Sequence, residues 1–174
     1  MTVALITGAN SGIGRSAAVD LAAKGWTVYG SMRSLEKGEK LAAMCAEAGV
    51  KVHPVVCDVT DTASVDRAVA EVIAAAGHID VLINNAGIGG NGVCEEASLD
   101  DYMEVMDVNL YGVIRGVQAV LPHMRERGSG CIINVSSIAG VIAALAQSPY
   151  VASKWALEGL TEGLAQEVVS HGIR

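Results

Sequence analysis

Tyr150 and Lys154 stand four positions apart in the segment Tyr150-Val151-Ala152-Ser153-Lys154. On a helix that spacing puts both side chains on one face. A free tyrosine, with a pKa of about 10, exchanges protons poorly near neutral pH, and a neighbouring ammonium favours its ionised form. The pair therefore suits proton transfer, although Tyr and Lys at this spacing also meet on ordinary helix surfaces without any chemistry. No other tyrosine of the chain is followed by lysine at that distance. Ser137 lies thirteen residues before Tyr150 and could offer a hydroxyl to a reacting oxygen, with Ser136 beside it as the alternative.

A second group of residues could hold an anion. Thr7-Gly8-Ala9-Asn10-Ser11-Gly12-Ile13-Gly14 follows the apolar run Val3-Ala4-Leu5-Ile6 and opens a helical pattern. Glycines at such a junction permit a tight turn and a close approach of backbone to a pyrophosphate, and the helix start adds unpaired N–H groups. The spacing is GxxxGxG, not GxGxxG, and a plain strand-to-helix turn is the simpler alternative. About 20 residues further on, where an acid would hold a ribose 2′-hydroxyl, the chain reads Ser31-Met32-Arg33-Ser34 with no acid. Arg33 suits a 2′-phosphate as a bidentate cation, with Ser11 adding a hydroxyl, unless it is simply a solvated arginine. A dinucleotide with a 2′-phosphate is thus favoured over one with a free 2′-hydroxyl.

These residues need a scaffold, and the hydrophobic pattern supplies one. Short apolar runs at 3–6, 27–32, 50–57, 79–83 and 131–135 alternate with helical stretches at 13–22, 35–48, 65–76, 99–124 and 150–169. Unbroken apolar runs are what strands buried on both faces require. Their alternation with helices implies right-handed βαβ units in a parallel, doubly wound sheet of three-layer Rossmann-like form. Pro54 cannot donate to a ladder, so its strand belongs at an edge, which the order 3-2-1-4-5 provides. One domain over residues 1–174 is expected, with no repeat or linker.

Composition narrows the classes further. Of 174 residues, 51% are hydrophobic and 18% charged, with a mean hydropathy of +0.40, which excludes intrinsic disorder. A formal charge of −7 argues against nucleic acid or an anionic bilayer as partner. Cys45, Cys57, Cys94 and Cys131 show no metal-ligand spacing and read as buried, reduced thiols of a cytoplasmic protein; no metal is expected. No apolar run reaches the ~18 residues of a membrane span.

Read together, the motifs resemble the short-chain dehydrogenase/reductase family. Thr7–Gly14 resembles its glycine loop, and Asn84-Asn85-Ala86-Gly87 its NNAG motif. Val108-Asn109-Leu110 is similar to the setting of its catalytic asparagine, Asn134-Val135-Ser136-Ser137 to its serine motif, and Tyr150–Lys154 to its YxxSK motif. The resemblance implies an NADP(H)-dependent oxidoreductase that interconverts an alcohol and a ketone or aldehyde, softly of the steroid or retinoid kind. It implies that Tyr150 moves the proton, Lys154 supports it and holds the nicotinamide ribose, Ser137 holds the substrate oxygen, and Asn109 orders a relay water. Asn109 is otherwise a satisfied buried amide, and Ser136 a maker of a structural hydrogen bond. Cofactor contacts are implied for Gly8, Asn10, Ser11, Gly12, Ile13, Gly14, Arg33, Asp58, Val59, Asn85, Ala86, Gly87, Tyr150 and Lys154, with Asp58 alternatively a turn cap for Thr60. A homodimer or homotetramer is implied, built on helices 99–126 and 150–170 with Val113, Val117, Trp155 and Leu160, unless these residues are simply buried against the sheet. Relatives continue into a sixth and a seventh strand that this sequence lacks. Strand five is therefore expected to be an open edge, and a non-catalytic NADP-binding protein is the alternative function.

Overall fold

The computed structural model describes all 174 residues. Five strands form one parallel sheet in the order β3-β2-β1-β4-β5: β1 Val3–Ile6, β2 Thr27–Met32, β3 Val52–Val56, β4 Val81–Asn84 and β5 Cys131–Asn134. The proline strand is indeed an edge, with Pro54 opposite Gly30. Alternation along β1 divides the core into two layers. Val3 and Leu5 face one cluster with residues of α3 (Thr62–Ala76), α5 (Gly112–Arg127) and α6 (Ser148–Val168). Ala4 and Ile6 face the other, with residues of α1 (Gly12–Ala23) and α2 (Glu39–Ala48). The remaining helix, α4, spans Leu99–Met106.

Local chemistry sets the helix ends. Asp61 accepts the Ala63 N–H at the start of α3, and Ser98 and Asp101 form a reciprocal capping box at the start of α4. Gly77 closes α3 with φ +82°, a conformation that favours glycine.

The structure corrects four expectations. The pattern over 99–124 is not one helix: a π-helical turn at Asp107–Tyr111 separates α4 from α5. The stretch 35–48 opens with a 3₁₀ turn at Leu35–Gly38 before α2 begins. Val113 and Val117 are buried against the sheet and unavailable to a partner, whereas Trp155 is 52% exposed. Of the cysteines, Cys45 and Cys57 are buried, but Cys94 is exposed and Cys131 half-buried.

The far edge also differs from expectation. Ile173 bridges Gly130 in parallel fashion, and the Ile132 N–H donates to the Arg174 carbonyl at 2.7 Å. The outer side of β5 is thus paired at its first residues and not open throughout.

Candidate functional site

A cleft of about 570 Å³ runs along the carboxyl ends of the strands. This is where doubly wound sheets place ligands, at the reversal of strand order beside β1. Its first wall is the loop between β1 and α1. Ser11 is extended (φ −150°, ψ 167°) at the start of α1 and makes no side-chain cap. The first N–H groups of that helix therefore have no side-chain partner there, and Asn10, Ser11, Gly12 and Ile13 line the cleft. Gly8 has φ +68°, and a β-carbon on it would stand 2.9 Å from Ala86 Cα. A β-carbon on Gly14 would strike Asn85 Nδ2, so this glycine permits helix packing and does not itself line the cleft.

The loop is tied to the end of β4 by a small polar knot. Thr7 Oγ1 accepts the N–H groups of Asn85 and Ala86, both at 3.0 Å. Asn85 Nδ2 in turn donates to the carbonyls of Thr7 at 2.9 Å and Gly8 at 3.3 Å. The asparagine side chain is spent on scaffold bonds, although its residue lines the cleft together with Ala86 and Gly87.

At the β2–β3 end, exposed Arg33 and Lys37 line the cleft side by side with Asp58 and Val59. Lys37 went unnoticed in the sequence, because a helical reading of 35–48 gives no reason for it to turn back to the site. Asp58 Oδ1 accepts the Thr60 N–H at 3.0 Å and its hydroxyl at 2.8 Å. These bonds, aided by the Arg33 and Arg115 charges, hold its carboxyl below the usual aspartate range against the effect of burial. Both readings of Asp58, turn cap and cleft wall, are therefore present at once. Cys57 also borders the cleft, and burial pushes its thiol up to about 11, so it is no nucleophile.

The other end of the cleft is built on β5 and α6. Pro149 starts α6, and Gly90 lets the loop after β4 press against it: a β-carbon there would lie 3.3 Å from the Tyr150 nitrogen. Tyr150 and Lys154 both line the cleft, with Lys154 Nζ 5.7 Å from the tyrosine ring centre. Lys154 is buried and donates to the Val135 carbonyl at 2.8 Å. Burial lowers its pKa from the ordinary lysine value, against the opposing charge of Glu158.

Asn109 sits in the π-helical turn, 1% exposed. Its Oδ1 accepts the Ile88 N–H at 2.8 Å, and its Nδ2 donates to the Ile88 carbonyl at 2.9 Å and to Ser153 Oγ at 3.1 Å. Ser153 passes the chain on to the Tyr150 carbonyl at 2.7 Å. Both amide hydrogens are consumed, so the side chain holds the loop after β4 against α6. Any water at this residue would have to be held by its main chain.

The two serines are held differently. Ser137 Oγ accepts the Ala139 N–H at 3.2 Å, capping a short 3₁₀ turn at Ile138–Gly140, and makes no hydrogen bond to Tyr150. The structural hydrogen bond expected of Ser136 is absent: its Oγ is buried without a partner, 2.9 Å from where a β-carbon on Gly140 would lie. Gly8, Asn10 to Ile13, Arg33, Asp58, Val59, Asn85 to Gly87, Ser136, Tyr150 and Lys154 thus share one cleft, while Gly14 and Asn109 pack behind it and half-buried Ser137 borders it beside Ser136.

Fold and cleft define the class: a doubly wound α/β domain with a glycine-rich loop and a Tyr–Lys helix meeting at the switch point of the sheet. The description "short chain dehydrogenase" fits the chain over residues 2–174, and the chain belongs to that family. It is 43% identical over 166 residues to a 3-ketodihydrosphingosine reductase of Bacteroides thetaiotaomicron, covering 95% of this chain and 58% of the relative. It is 40% identical over 173 residues to a 3-alpha-(or 20-beta)-hydroxysteroid dehydrogenase of Mycobacterium tuberculosis, covering 99% of this chain and 65% of the relative. The solved structure of a gluconate 5-dehydrogenase from Burkholderia cenocepacia, in complex with NADP and tartrate, superposes with a TM-score of 0.92 at 38% identity. That match covers 99% of this chain and 68% of the other. The chain thus spans about three fifths of the length of the curated relatives it matches. No helix is long and apolar enough to cross a membrane.

Proposed function

We propose that the protein is an oxidoreductase that interconverts an alcohol and a ketone or aldehyde, using NADP(H) in preference to NAD(H). One observation carries the reading. A buried lysine fixed to the backbone just after β5 stands over a cleft-lining tyrosine, in the same cleft as an uncapped glycine-rich helix start. The cleft fits a dinucleotide, because Gly12 leaves open space that a side chain would occupy, Gly8 lets the loop close on Ala86, and the start of α1 presents donors to a pyrophosphate. Arg33 and Lys37 give two cations for a 2′-phosphate.

When bound, the nicotinamide supplies hydride exchange with the substrate carbon. The chain's own residues do the rest. Tyr150 gives a proton to the developing alkoxide or takes one from the alcohol. Lys154, its charge held beside the ring, stabilises the tyrosinate and reaches the nicotinamide ribose. Ser137 turns its hydroxyl hydrogen to the substrate oxygen while its lone pair serves Ala139. Asn109 fixes the loop and helix that carry this set.

An apolar substrate is favoured by the segment between β5 and α6, where Ile138, Val141, Ile142 and Leu145 are exposed. The names of the two curated relatives, a sphingoid-ketone reductase and a hydroxysteroid dehydrogenase, point the same way. A homodimer or homotetramer is supported by exposed Leu99, Met103, Tyr111 and Trp155 on or beside α4 and α6. Cytoplasmic residence and a single domain belong to the same reading. The test is loss of reduced-nicotinamide absorbance with a panel of apolar ketones. Turnover that disappears in Tyr150→Phe supports the reading. NADPH binding without turnover of any ketone would instead favour a binding protein.

A further inference from the structure

Arg115 stands outside the cleft yet holds two of its walls together. It lies on the first turn of α5, and helical side chains lean toward the N-terminus, so it reaches back over the π-helical turn. Its Nη2 meets Asp107 Oδ1 at 2.7 Å, and its Nη1 donates to the Val59 carbonyl at 3.0 Å and to the Asp107 carbonyl at 3.4 Å. The guanidinium is mostly buried, with 20% of its side chain exposed. Gly112 brings the two walls close: a β-carbon on it would stand 3.0 Å from the Val59 side chain.

What the arginine joins is not equivalent. Val59 belongs to the loop after β3, which lines the cleft beside Asp58 and Arg33. Asp107 opens the π-helical turn that carries Asn109, the side chain gripping Ile88 and Ser153. A π-helical turn is intrinsically poor and needs outside support. Here a charged fork supplies it, bonded at once to a main-chain oxygen of each wall.

We infer that Arg115 is a positioning residue, coupling the adenine end of the cleft to the turn that supports the Tyr150 helix, so that nucleotide bound at one end stiffens the other. This rests on the dinucleotide reading above. Adenosine 2′,5′-bisphosphate is the probe, because it can occupy only the adenine end.

Backbone hydrogen exchange is followed with and without saturating bisphosphate. In the parent, the ligand should slow exchange both at Val59–Thr60 and at Leu110–Gly112, the latter by about fivefold, the low end of ordinary site-to-site coupling. In Arg115→Met the ligand should still protect Val59–Thr60 while its effect on Leu110–Gly112 is lost. Asp107→Ala, which removes the carboxylate that Arg115 grips and leaves Arg115 on Val59, should show the same separation and covers the case of an unfolded Arg115→Met. Protection of Leu110–Gly112 that persists in these variants overturns the inference and leaves the dinucleotide reading intact. Failure of the parent to bind the bisphosphate overturns both. A purely structural arginine would lower the melting temperature without altering the ligand-dependent protection, which also overturns the inference.

Discussion

The two ends of the cleft are made from different materials. At the glycine loop the contact surface is backbone: Gly8, Gly12 and an uncapped helix start, with Arg33 and Lys37 standing exposed beside it. At the α6 end it is a chain of interlocked side chains, from Ile88 through Asn109 and Ser153 to Tyr150, with Lys154 fixed to Val135. On the proposed function, the contrast follows from two tasks. An anion is met by donors that have no other partner, so binding requires groups left free. Proton transfer needs one atom held in place, so its neighbours must be saturated. Substitutions at the first end should therefore change affinity and spare the fold, whereas substitutions at the second should touch both.

The largest effect should come from Tyr150→Phe, which removes one oxygen from the second end. Turnover should fall by about 10²–10⁴-fold, the usual contribution of a positioned proton donor, with NADPH affinity little altered. Steady-state rates and a nucleotide titration on the same preparation check this. A loss of only a few-fold would break the division of labour.

Next in size, Asn109→Ala strands both polar groups of Ile88 and takes one hydrogen bond from the Ser153 hydroxyl, which keeps its bond to the Tyr150 carbonyl. Stability should drop by about 2–4 kcal/mol, measured by urea unfolding. If Ile88 and Ser153 find other partners at no cost, the second end is not the locked assembly described here.

Arg33→Asp should act on binding alone. NADPH affinity should weaken by about ten- to a hundredfold and NADH affinity should gain. The urea midpoint should stay within the roughly 0.5 kcal/mol usual for surface changes. Equal affinities for the two nucleotides in parent and variant would remove Arg33 from the first end.

The smallest effect concerns pH. Burial depresses the pKa of Lys154 in the folded state, so the unfolded chain binds the more protons between that lowered value and the ordinary lysine value of about 10.4. Stability contributed by this site should therefore rise with pH across that window. Relative to Lys154→Met, the parent should gain stability on going from neutral to alkaline solution. A difference between the two proteins that stays flat with pH would mean Lys154 is better hydrated than its position suggests.

Much of this was legible in the sequence, for identifiable reasons. The strand order followed from Pro54 and from the apolar runs, because a backbone without an N–H and strands buried on both faces leave few arrangements. The cleft members followed from glycines and from an i,i+4 pair, both local signals. What escaped depends on distant partners. The break at Asp107–Tyr111 answers to Ile88, twenty-one residues before Asn109. Lys37 enters the cleft because a 3₁₀ turn precedes α2, and Val113 faces inward because the helix restarts after the π-helical turn. The lack of a hydrogen-bond partner for buried Ser136 Oγ has no signature in sequence at all.

A last consequence lies in the β4–β5 seam. Asn84 pairs with Asn134 across the sheet, its Nδ2 donating to Asn134 Oδ1 at 3.0 Å. Asn134 Nδ2 then donates to Thr161 Oγ1 at 3.0 Å, and that hydroxyl donates to the Leu157 carbonyl at 2.7 Å. Parallel aliphatic strands can slide by two residues and still bury the same face. Here such a slip would leave the Asn84 and Asn134 amides unmatched, at a cost of about 1–3 kcal/mol for each group. The seam therefore acts as a registration pin, selecting one alignment of strands whose grease would tolerate several. It couples the fidelity of assembly to the same strand ends that shape the cleft.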